Sequence, residues 1–218
     1  MKATTIKIGW IACCTVCILD FVVSTSLGLS LPGYDPLRQT ISALGRSGQV
    51  TAPYVAIWGV VFSILFLLFA RAWFVFFENK NKLVYWSTTL LLIYGIGEGL
   101  GSGLIHFDVV NGHPTFSGHL HQIFSSIADI GLFSFPFLVM RLFPKSKHPN
   151  IHSISILVII LGLAFNLVFL WGKHMDIHSG PIAWFGLWQR LFLLDYYLYL
   201  MILANYIHRL FKENGLKV

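Results

Sequence analysis

Four acids lie inside runs of apolar sequence: Asp20, Glu98, Asp129 and Asp195. A charge at the centre of a bilayer costs at least ~2.5–3.5 kcal/mol. The chain has only nine Asp and Glu in all, so four placed in this way need a partner or a task. Glu98, Ser102 and His106 follow one another at steps of four residues. His121, Ser125 and Asp129 do the same in reverse order. On a helix, each set shares one face. Each face then runs from a histidine through a serine to a carboxylate, and Asp20 with Ser24 repeats the spacing. Such a surface can move protons and activate water. The acid–base candidates are His121, Asp129, Glu98 and Asp108, and the ligand-contact candidates in these runs are Ser102, Ser125 and Asp195. The competing reading makes each serine a partner for its acid and each stripe glue between helices.

A metal is the second chemistry. Zinc takes three or four N, O or S ligands, and His106, Asp108 and His121 form the set this chain would offer it. His174, Asp176 and His178 make a further H-x-D-x-H run. No H-E-x-x-H is present, and a haem has only pairs of histidines to recommend it. Arg190 closes the run Gly-Leu-Trp-Gln-Arg. It stands five residues before Asp195, on another helix face. The expectation is that Arg190, with Gln189 beside it, reaches Glu98, Asp129 or an anionic headgroup; the alternative is a snorkelling arginine. Trp184, Phe185 and Trp188 around it read as an interfacial aromatic belt. Ser42, in Thr-Ile-Ser-Ala-Leu-Gly, is either a ligand contact or a turn residue. No G-x-S-x-G is present.

Membrane helices must position these groups. Only 11% of the residues are charged and 56% are hydrophobic, with mean hydropathy +0.73. Soluble domains carry about 25% charged residues, so this chain cannot cover a water-facing globule. Crossing the hydrocarbon takes about 20 apolar residues. Six stretches qualify, near 8–31, 54–77, 83–105, 119–140, 151–172 and 186–211. The expected fold is all-α, one six-helix transmembrane domain over residues 1–218. The first span, ending in Leu-Pro-Gly, reads as a retained signal anchor. Cys13, Cys14 and Cys17 fall within it and read as small packing residues.

Gly95, Gly97, Gly99, Gly101 and Gly103 give two small-xxx-small ladders around Glu98. They predict close packing of neighbouring backbones and a weak point in the helix near Glu98.

The net charge of +6 serves orientation rather than nucleic-acid binding. Eleven of the 15 Lys and Arg fall on the side of the two termini, which predicts both ends in the cytoplasm. Six of the nine histidines fall on the other side. The working face is therefore expected to point outward from a cell (inner or plasma) membrane. Membrane lipids are the expected partners, with a second copy or another membrane protein as further candidates.

Several of the outer segments carry a recognisable order of motifs: Tyr34-Asp-Pro, Ile41-Ser-Ala-Leu-Gly45, His106-Phe-Asp108, Gly118-His-Leu-His121 and Gly186-Leu-Trp-Gln-Arg190. In that order they resemble a family of bacterial and archaeal membrane proteins known as domain of unknown function 998. The resemblance covers residues 8–210 and implies six helices, with no activity attached. The family often has an acid where this chain has Ala43. The Ile-Ser-x-x-Gly loop also looks like that of eukaryotic membrane proteins linked to lipid-anchor remodelling. The Ser, Asp and His inventory is loosely similar to that of seven-helix hydrolases related to alkaline ceramidase, which hold a zinc near the membrane face. The expected function is binding, or hydrolysis, of a lipid or small amphiphile in an outward polar cleft. A proton-coupled transporter or sensor, and a subunit without chemistry, are the alternatives.

Overall fold

A computed structural model describes residues 1–175 and 179–215, with His174, Asn214 and Gly215 as backbone only. Asp176 and His178 of the H-x-D-x-H run, and Lys217, therefore lie outside the described residues. Six long helices follow one another: α1 (Lys2–Ser30), α2 (Ala52–Phe76), α3 (Lys82–Ile96), α4 (Phe116–Leu142), α5 (Pro149–His174) and α6 (Phe185–Gly215). All six, α3 taken with the helical turn that continues it to Ser102, are long and apolar enough to cross a membrane. The protein is an all-α, multi-pass integral membrane protein.

Local chemistry sets several helix starts. The Asn81 side chain accepts from Val84 N–H at the head of α3, and Thr115 accepts from Gly118 N–H at the head of α4. These side chains satisfy amides that have no partner within the helix. Pro residues open α2 and α5, where a missing N–H does no harm. α1 begins six residues before the expected span and α6 runs past it, because helical hydrogen bonding continues beyond the hydrocarbon.

Each helix packs against its neighbours in sequence, and α6 returns to α1, so the bundle closes as a ring. Of the adjacent pairs, α4 and α5 are the loosest. Aromatic side chains fill the centre: Phe66, Trp73, Tyr94, Phe135, Tyr196 and Tyr197 are all buried. The free thiols Cys13 and Cys17 are buried beside them.

The two glycine ladders pack on different neighbours. Gly95, Gly99 and Gly103 face Phe66, Ser63 and Gly59 of α2. Gly97 and Gly101 face Ala128 and Phe124 of α4. A Cβ on Gly103 would lie 3.0 Å from the Gly59 Cα, so the α2 and α3 backbones nearly touch. Here α3 passes into a π-helical turn over Gly97–Ser102. Ser63 Oγ donates to the Gly95 carbonyl at 2.7 Å, steadying the backbone just before that turn.

At one end of the ring, residues 31–51 fold back over the helices. They contain a 3-10 turn, Ile41–Gly45, whose Leu44 is fully buried. The connection between α3 and α4 lies at the same end. It forms a two-stranded hairpin, β1 (Val109–Val110) with β2 (His113–Pro114). Asn111 and Gly112 turn it, both with positive φ, as a tight primed hairpin turn requires.

Candidate functional site

The seam between α4 and α5 opens into a cavity of about 530 Å³. From α4 it takes His121, Gln122, Ser125, Ser126 and Asp129, and from α5 it takes Asn166 and Lys173. Thr40 and Ser42 from the folded-back segment, Phe107 and Gln189 close one end. The rim is apolar: Ile130, Phe133, Leu163, Leu167 and Leu170. Ile130 and Leu167 are 65% and 57% exposed, so the mouth opens on the flank of the bundle. His121, Ser125 and Asp129 thus line one space, as their shared helix face allows.

His121 is buried. Its Nδ1–H donates to the Ile105 carbonyl at 2.7 Å. Nε2 is buried and makes no hydrogen bond among the described residues. No described side chain donates to Asp129; its charged neighbours are Glu98 and Lys173. Glu98 lies just behind the cavity wall in the π-helical turn. Ser102 Oγ stands 3.2 Å from Glu98 Oε2 and 3.2 Å from the Gly97 carbonyl, and Ser125 approaches Glu98 from α4. Ser125 therefore connects the acid of one helix to the cavity of the other.

The stripe expected on α3 is not continuous. The π turn adds a residue to the helical repeat, and the regular helix then ends, so His106 leaves the face that Glu98 and Ser102 share. Its Nδ1–H donates to the Gly45 carbonyl at 2.8 Å. Asp108 takes the Ser47 amide on Oδ1 at 2.9 Å and the Ser47 hydroxyl on Oδ2 at 2.7 Å. These two bonds hold its carboxyl below the ordinary carboxylate range. His106, Asp108 and His121 each face a different protein group, and no three His, Cys, Asp or Glu among the described residues converge as a metal needs. The donors as placed do not fit zinc.

Arg190 also differs from expectation: it meets neither Glu98 nor Asp129. Nη1 donates to the carbonyls of Pro36, Gln39 and Gly186 at 2.7, 3.0 and 2.9 Å, and Nη2 donates to the Tyr34 hydroxyl at 2.5 Å. Tyr34 in turn donates to the Thr40 carbonyl at 3.1 Å. Gln189 Oε1 accepts from Ile41 N–H at 3.0 Å, and Leu187 N–H donates to the Leu37 carbonyl at 3.0 Å. Gly186 faces the Pro36 and Gln39 carbonyls with no room for a Cβ. The start of α6 is therefore a clasp for residues 34–41. Asp195 stands outside the cavity lining, with Oδ2 buried and unpartnered among the described residues.

Sequence reasoning missed Lys173, Asn166, Gln122, Ser126 and Thr40. Asn166 is a polar residue deep in an apolar helix, and Lys173 follows it by seven residues on the same face. That pairing was the available signal.

Asp20 forms a second polar centre, away from the cavity. Trp58 Nε1–H donates to its Oδ1 at 2.7 Å and the Tyr197 hydroxyl donates to its Oδ2 at 2.9 Å. The Tyr94 and Tyr197 hydroxyls are 2.8 Å apart.

A ring of six spanning helices with a polar cleft in one seam defines a multi-pass membrane protein. The chain belongs to the family described as protein of unknown function, DUF998, whose model matches residues 15–206. No curated protein and no solved structure matches it.

Proposed function

We propose that this protein binds a membrane amphiphile in the cleft between α4 and α5. One observation carries the reading: a polar floor is reached through an exposed apolar rim on the flank of the bundle. Pockets of roughly 300–1,000 Å³ with convergent polar groups suit small ligands. An exposed rim of Ile and Leu suits one that arrives from the bilayer. The Lys and Arg distribution favours cytoplasmic termini; in that orientation the cleft would open to the outer leaflet of a cell membrane. If the bound molecule is hydrolysed, His121 is the general base, since Nδ1 is held by a carbonyl and Nε2 is left over.

A single-chain amphiphile carrying a photoreactive diazirine tests the reading. Its crosslinks are expected within 119–133 and 163–173, and Leu167→Trp, which fills the mouth, should remove most of them. Even labelling of all outward helix faces, unchanged by Leu167→Trp, overturns it.

A second reading, a proton relay, has its own observation. The Asp20–Tyr197–Tyr94 chain crosses from α1 through α6 to α3. Tyr94 stands one helical turn from Glu98, which Ser125 links to the cavity.

A further inference from the structure

Opposite kinds of polar group stand at two depths of the cleft. Lys173 is at the capped end of α5. Its Nζ lies 5.4 Å from the Phe169 ring centre and 6.0 Å from that of Phe107. Among the described residues it makes no ion pair. Among the described residues it is the one Lys or Arg in the cavity lining, and Thr40, Ser42 and Gln189 line the same cavity. Asp129 is its acidic neighbour across the cleft, and a cation that shares a cavity with neutral donors can seat an oxyanion.

Asp129 lies deeper. It is eight residues past His121, about 12 Å along the helix. Asn166, seven residues before Lys173 on the antiparallel helix, stands at a similar depth. Asp129 faces the cavity without a donor from any described side chain. Below the phosphate of a two-chain phospholipid come ester groups, which accept hydrogen bonds and donate none. A carboxylate at that depth is matched by a free hydroxyl. The apolar rim beside it, Ile130, Phe133, Leu163 and Leu167, offers an exit for a chain.

We propose that the ligand is a single-chain phospholipid, its phosphate on Lys173, its free backbone hydroxyl on Asp129 and its acyl chain leaving between α4 and α5. This rests on the amphiphile reading above and adds the headgroup chemistry to it.

The test is a binding panel on the detergent-purified full chain. The probes are a lysophosphatidate, the monoacylglycerol of the same chain, the lysophosphatidate without its backbone hydroxyl, and glycerol 3-phosphate. In the native protein, the lysophosphatidate should bind about tenfold or more tighter than the monoacylglycerol, as a charge-assisted contact provides. Removal of the hydroxyl should also weaken binding severalfold. Lys173→Gln should erase the first difference while Lys173→Arg keeps it, and Asp129→Asn should shrink the second. Equal affinity for lysophosphatidate and monoacylglycerol in the native protein overturns the headgroup assignment and leaves the amphiphile reading standing. Equal affinity for glycerol 3-phosphate overturns the lipid part of the assignment. Binding of none of the three amphiphiles overturns both readings. These comparisons use the native chain, so a variant that fails to fold cannot decide them.

Discussion

The packed centre around Asp20 and the open seam around Asp129 treat the same functional group in opposite ways. Asp20 receives an indole N–H and a phenol O–H from two other helices, one on each oxygen. Asp129 receives nothing from any described side chain and borders a cavity. A buried acceptor with its donors in place adds to the stability of the bundle, whereas one left without them detracts from it. The first arrangement joins α1, α2, α3 and α6. The second leaves α4 and α5 weakly joined, at the place where a ligand has most to offer.

The sharpest way to break the contrast is to remove donors on one side and the acid on the other. Trp58→Phe with Tyr197→Phe should lower stability by about 3–6 kcal/mol, the sum of two bonds to a charged acceptor. Asp129→Asn should change it by less than about 1 kcal/mol. Thermal or denaturant unfolding in one detergent checks both, and equal losses would erase the distinction between a structural acid and a free one. Arg190→Met comes next. It removes the donor from three carbonyls and a phenol, and should cost about 2–3 kcal/mol, felt chiefly at residues 34–41. Hydrogen exchange should rise there and stay unchanged around Asp20; a rise across all six helices would mean that the clasp supports the whole bundle.

The smallest effect is at Asp108, partly exposed at the capped end. Its carboxyl is held low by the Ser47 hydroxyl and amide. A depressed carboxylate contributes fully above its unfolded pKa of about 3.9 and loses that contribution as pH falls through the lower folded value. The Ser47 amide resonance should therefore be flat near neutrality and titrate below the ordinary carboxylate range. Asp108→Asn should abolish that titration. A midpoint at or above the ordinary carboxylate value would show that Ser47 does not hold the acid.

Much of this was legible in the sequence, for reasons that differ by residue. Six apolar runs of sufficient length leave the backbone no alternative to helices, so the bundle could be read directly. The glycine ladders could be read because four-residue spacing selects one face. The α4 stripe of His121, Ser125 and Asp129 survives because α4 stays helical throughout. The α3 stripe fails because register was counted through a segment that is not an α-helix. The bonds from Arg190 to residues 34–39 were not legible because those partners lie some 150 positions away, in a segment with no periodicity to reveal its return. Asn166 and Lys173 were passed over because a lone amide and a lone lysine carry little signal until α5 is laid beside α4. The Val109–Pro114 hairpin was announced only by Asn111-Gly112.

The π-helical turn at Gly97–Ser102 also has a consequence for how this protein can change over time. Such a turn holds one residue more than an α-helical turn does. Deleting a single glycine there would tighten it into regular helix and swing the rest of the helix by about 100°. Point substitutions leave that angle alone, but one lost codon would reset it. The orientation of Glu98 against α4, and the delivery of His106 and Asp108 to the folded-back segment, thus hang on an insertion one residue long.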